Sequence, residues 1–324
     1  LRSLTTGIYN VAVGTFANQN ATTGSSNVAM GYHALNQTTT GGNNVGIGYE
    51  ALSSNTSASN NTALGSTALD ANTTGNQNVA IGTLALTDNV DGSNNVAVGY
   101  AALDANTSAS NNVAVGKEAL LSSTTGDLNT AIGNRAMYSS TNTDRCVAVG
   151  YQAMYHFTQS GDQYNTAVGY NSAFQTTTSG QFTALGGQAL FSQTTGNYNT
   201  AVGYNCLFGT TTGTANTGVG RAVMFANTTG GNNVGMGYNA LNANTTGGSN
   251  VAMGSSALDA NTTASHNTAI GVSALSENTT GTQNTALGGN SLDANTTGNY
   301  NTAVGRGSLG VNTTGSNNVA VGVN

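Results

Sequence analysis

Apolar residues return along this chain with a period of seventeen. The segment "NVAVG" at Asn95–Gly99 comes back at Asn112–Gly116, and close variants run through the whole sequence. Taking the glycine as position 1 gives nineteen anchors, from Gly14 to Gly322. Every step is 17 residues except that between Gly150 and Gly169, which is 19. In each unit position 15 is Val or Thr, position 16 is Ala or Gly, and position 17 is aliphatic. β-Branched residues alternating with small ones, bounded by Asn and Gly, predict a short strand. The period is about half that of helical solenoids and fits one rung of a β-solenoid. The pattern therefore predicts an all-β fold, a parallel β-solenoid (β-roll) of about nineteen 17-residue coils. Rungs about 4.8 Å apart would make a rod of about 85–90 Å. A single repeat array is expected over residues 1–324, with a two-residue insertion between Gly150 and Gly169.

Positions 15 and 17 share one face of the strand, and positions 16 and 1 share the other. Neither face admits charged residues, so both are expected to be packed. A thin solenoid has one interior, so the second face calls for another copy of the chain about a symmetry axis. Position 14 is Asn in seventeen of nineteen coils, with Cys146 and Phe182 as the exceptions. These asparagines, and those at position 8 such as Asn72, read as structural, either at corners that need positive φ or as ladders along the array. Gly99, Gly116, Asn95, Asn112, Ala97 and Ala114 are representative structural anchors.

These residues carry a family likeness. The strand N-x-V-A-V-G with its small-residue partner segment resembles the β-roll of YadA-like trimeric adhesin heads. The longer "GNNVAVGYNALxANTTGxxNTAVG" form is similar to repeats of phage tail fibres, as found upstream of endosialidase-type chaperone domains. The likeness spans Leu1 to Asn324 and implies a homotrimeric fibre that reaches or adheres to a surface. The coil is longer than the adhesin-head unit, and no chaperone domain is present.

Composition sharpens the picture by exclusion. The chain has 45 Gly, no Pro, no Trp and a net charge of −6. A fixed aliphatic phase argues against disorder, and the acidic balance argues against nucleic acid. No run of apolar residues is long enough for membrane insertion. The first residues fall mid-coil and the last follow Gly322 closely, which suggests a segment of a longer protein. Cys146 and Cys206 are too few for a disulfide scaffold and are expected at small-residue sites. His33, His156 and His266 lie in distant rungs, so no metal site, cofactor site or acid–base pair is expected from them, and no enzymatic activity. Sequons such as Asn72-Thr73-Thr74 follow from the turn consensus. At position 6, Asp70 and Asp104 flank Thr87, and Asp259 and Asp293 flank Ser276, so acids skip a rung and avoid stacking like charge.

One block breaks the monotony. Position 6 is aromatic in six consecutive coils, Tyr138, Tyr155, Phe174, Phe191, Phe208 and Phe225. Such a stripe is either a receptor-facing strip for sugar rings or apolar partners, or a local thickening covered by the core or a neighbouring chain. Taken together, the sequence predicts a structural fibre, the shaft or head of a phage tail fibre or bacterial surface adhesin. It would be extracellular, at a cell surface or on a virion, with itself as partner and a cell-surface glycan or receptor as target. The alternatives are a self-polymerising extracellular filament and an ice-binding β-solenoid. The latter is weakened because the adjacent Thr-Thr hydroxyls point to opposite sides.

Overall fold

The computed structural model describes residues 1–323. Among them there is no helix, and regular structure consists of nineteen three-residue strands and two shorter ones. The chain divides into two compact units, Leu1–Tyr164 and Asn165–Asn324, with the boundary inside the 19-residue coil. The first unit holds nine three-residue strands, Val11–Val13 to Val147–Val149, and the second holds ten, Thr166–Val168 to Val319–Val321. Neighbours pair in parallel with the register advanced by one coil. Val96, Ala97 and Val98 lie beside Val113, Ala114 and Val115 in the first unit; Thr183, Ala184 and Leu185 lie beside Thr200, Ala201 and Val202 in the second. Each unit is thus a parallel β-solenoid.

The corners are not where asparagine was expected to make them. Three non-glycine positions per coil, 3, 5 and 13, have left-handed backbone, as at Glu118 (φ 56°), Leu120 (φ 50°) and Asn111 (φ 62°). Leucine in this region is disfavoured by about 1 kcal/mol or more. Hydrogen bonds along the axis offset that cost. The Leu120 N–H donates to the Ala136 carbonyl at 3.0 Å, and the Glu118 N–H to the Tyr100 carbonyl at 2.9 Å. Each left-handed residue swings its peptide to point up or down the stack, so turns as well as strands are bonded to the neighbouring coil.

Asn95 and Asn112 act instead as ladder rungs. The Asn95 N–H donates to Asn78 Oδ1 at 2.9 Å and the Asn112 N–H to Asn95 Oδ1 at 3.0 Å. The Asn95 Nδ2 donates to the Ala109 carbonyl at 2.7 Å. A second ladder runs through position 8, where Asn89 Nδ2 donates to Asn72 Oδ1 at 2.8 Å and to the Gly92 carbonyl at 3.0 Å. Most side chains of both ladders are fully buried, as at Asn72, Asn89, Asn95 and Asn112, which is tolerable because these amides have partners. Asn72 belongs to this interior, so the folded chain offers no accessible amide at that sequon.

The interior is lined by small residues at positions 4 and 16 and by Leu or Met at position 5 of most coils: Ala97, Ala114, Ala102 and Leu103 have no exposed surface. Position 16 therefore points into the chain's own core, while positions 15 and 17 point outward. This corrects the expectation that the alanine face needs a second chain to cover it. The coil is so narrow that its opposite walls supply the cover. Position 4 faces position 16 across that narrow core, and their volumes compensate. Where position 4 is Cys206, a Cβ on Gly218 would lie 2.5 Å from its Sγ; where it is Val223, a Cβ on Gly235 would lie 2.5 Å from its Cγ1. Gly235→Ala is accordingly expected to destabilise by about 1–3 kcal/mol through overpacking. Val223→Ala in the same chain should restore most of the loss. A double-mutant cycle on urea midpoints reads this coupling.

Both cysteines sit in small buried sites, Cys206 at position 4 and Cys146 at position 14. Burial pushes the Cys206 thiol up to about 12, so it is no nucleophile at neutral pH. In the insertion coil, Phe157 takes the buried position-8 site. There Thr143–Asp144 and Gly161–Asp162 form an extra parallel bridge, clamped by an ion pair between Arg145 and Asp162.

Candidate interaction surfaces

The first surface is the outer wall of strands. Met30, Leu64 and Ile81 at position 17 are 41%, 45% and 37% exposed, and the Val or Thr at position 15 beside them is half-exposed. Within each unit this makes two parallel rows of methyl-bearing side chains. No charged residue interrupts either row. Apolar surface of this extent is what soluble monomers avoid.

The second surface is the aromatic column. In the first unit Tyr138 and Tyr155 stack with centroids 4.9 Å apart and planes within 5°. In the second unit Phe174, Phe191, Phe208 and Phe225 stack in sequence at 5.3, 5.0 and 5.0 Å. All six rings are half-buried. Each stacked ring covers part of its neighbour's face, and sugar stacking needs a free ring face. Arg135 lies 5.6 Å from the Tyr138 centroid and donates through Nε to Glu118 at 2.5 Å. That guanidinium holds the Glu118 carboxyl below the usual range.

Position 6 elsewhere is half-buried too. Burial raises the carboxyls of Asp70, Asp104 and Asp259 above the ordinary carboxylate range. For Asp104 the Thr87 hydrogen bond works against burial, while the Asp88 charge adds to it. A raised folded-state pKa means the folded chain binds this proton more tightly than the unfolded one. Stability is then highest below about pH 3.9, the unfolded value, and falls as pH rises through the folded pKa. Asp104→Asn should raise the urea midpoint at pH 7, and the gain should vanish by about pH 3.

Acids do not skip rungs everywhere. Asp127 and Asp144 occupy position 12 of consecutive coils. Asp127 Oδ1 accepts the Ser110 N–H at 2.6 Å and Asp144 Oδ1 accepts the Asp127 N–H at 2.7 Å. A hydrogen bond to a charged acceptor contributes about 1.5–3 kcal/mol. Repulsion between solvated charges at rung spacing is about 1 kcal/mol or less, so the ladder prevails.

The Thr-Thr pairs separate as the alternation implies. The first hydroxyl is tied to the stack, as Thr39 Oγ1 to the Thr56 carbonyl at 3.1 Å, and only the second, such as Thr40, is exposed. Each Thr-Thr pair therefore exposes one hydroxyl, not two side by side. His33 packs against Phe16 and Tyr32 and His156 against Tyr155. Among the described residues no three His, Cys, Asp or Glu side chains are grouped to hold a metal ion, and no helix is long and apolar enough to cross a membrane. No protein-family model and no curated protein matches the chain.

Proposed function

We propose that the chain is the shaft or head of a homotrimeric extracellular fibre, on a phage tail or a bacterial surface, that serves as a rigid spacer. The observation that carries this reading is the outward aliphatic wall. It is uncharged through every coil and projects from a chain whose own core is already complete. Three such walls brought together about an axis remove the methyl rows from water, at about 25 cal/mol per Å² of apolar surface covered. The adhesin and tail-fibre likeness of the repeat supports three as the number. Stiffness follows from bonds between coils at strands, corners and two Asn ladders. Within each unit the stacked aromatic rings add a further tie between neighbouring coils.

Light scattering on the purified chain tests the reading. Three times the 32.2 kDa chain mass, with discrete rods in electron micrographs, is the expected result. A monomer mass contradicts it, and long unbounded fibres would favour a self-polymerising filament.

A further inference from the structure

The outer wall is not uniform along the chain. In the first unit position 15 is Val in seven of nine strands, with Thr62 and Thr130 as the departures. In the second unit it is Thr in seven of ten, including the unbroken run Thr166, Thr183, Thr200 and Thr217. These threonines stand half-exposed beside the aliphatic row. Val and Thr have nearly the same shape, so packing alone does not tell them apart. They differ in one hydroxyl, which needs a partner once it is taken out of water.

We propose that this Thr run dictates which units meet when copies of the chain associate, making contacts homotypic: second unit on second unit, first on first. The inference rests on the fibre reading above and adds a selection rule to it. A Thr row seated on the same row of another copy gives each hydroxyl a donor and an acceptor at rung spacing. The same row seated on the Val row of a first unit meets methyl groups only, and every covered hydroxyl loses its water without replacement. One buried unpaired hydroxyl already disfavours a pairing by about fivefold or more, and four consecutive ones multiply that. The Val rows alone carry no such rule, since they pack equally well on any apolar wall. Selection is therefore placed in the second unit.

Cysteine cross-linking tests this on the full chain. Leu64→Cys marks the outer row of the first unit and Leu185→Cys that of the second; both leucines are exposed. The native Cys146 and Cys206 are buried, so the unsubstituted chain is the control. Differently tagged Leu64→Cys and Leu185→Cys chains are co-expressed and mildly oxidised. Like-with-like cross-links should exceed mixed ones by about tenfold or more. In a background carrying Thr166→Val, Thr183→Val, Thr200→Val and Thr217→Val, the oligomer should persist and the ratio should fall toward unity. An unchanged ratio in the four-fold variant would overturn the selection rule while leaving the fibre intact; mixed cross-links equal to like ones in the parent oligomer would overturn both, because walls gathered about one axis set like coils side by side. A monomer by light scattering would overturn both.

Discussion

Gly116→Ala is expected to cost roughly 3–5 kcal/mol, combining a forbidden backbone region with a clash that cannot relax. Gly116 has φ +130°, and an added Cβ would lie 2.6 Å from both the carbonyl carbon and oxygen of Gly133 in the next coil. Those atoms are backbone, bonded into the stack, so the methyl group can be accommodated only by separating the coils. The same contact recurs along the array: a Cβ on Gly99 would lie 2.6 Å from the Gly116 carbonyl oxygen. This is why position 1 admits no other residue. Gly289 provides the control. It lies at position 2, where the nearest atom to an added Cβ is 3.8 Å away, so Gly289→Ala should be neutral or slightly stabilising. Urea midpoints of the two variants test the contrast. Hydrogen exchange should show the loss concentrated in the coils flanking Gly116, because solenoid stability is a sum of nearest-neighbour couplings.

The second large effect belongs to Asn95→Ala, with an expected loss of about 3 kcal/mol. The substitution orphans the buried Asn112 N–H, which now donates to Asn95 Oδ1. It also removes the bond to the Ala109 carbonyl and leaves a void the size of an amide. Ala109 keeps a second donor, Asn106 Nδ2 at 3.2 Å, so the damage is centred on the Asn112 amide. That amide should lose hydrogen-exchange protection by orders of magnitude, whereas amides several coils away should be little changed. An effect spread evenly over the first unit would contradict the ladder account.

Much of this fold was legible in the sequence because stacking repeats every demand. The 17-residue period and the parallel register of Val96 on Val113 follow from identical residues returning at one phase, which also left Asn95 and Asn112 two roles, corner or ladder. Two features were not legible. Alternation tells which residues share a face and leaves open which face is inside. On the strand the rule that larger apolar residues lie inside fails, because Ala97 and Ala114 face a core already filled by Leu103 and Leu120. Two coils carried a signal: position 16 is Gly218 and Gly235 where position 4 is Cys206 and Val223, as residues that face each other require, although Gly46 stands opposite the small Ala34. The left-handed Leu120 had no local signal, since bonds from neighbouring coils impose that conformation. The aromatic block could be read as a stripe, but the stacking that hides its ring faces depends on side-chain rotation, which a one-dimensional pattern does not encode.

Aliphatic side chains that point out of a completed coil should be sheltered where other copies cover them. Thiol labelling of Ile81→Cys, Thr74→Cys and Ala80→Cys tests this most directly, with Ile81 in the outer wall, Thr74 on the exposed corner and Ala80 in the core. Labelling should be rapid at position 74 and absent at 80. At position 81 labelling should be slower than at 74 by about two orders of magnitude, as expected of a site reached only by opening, and should become fast when the oligomer is diluted to monomers. Labelling at 81 as fast as at 74 in the undiluted protein would contradict that shelter.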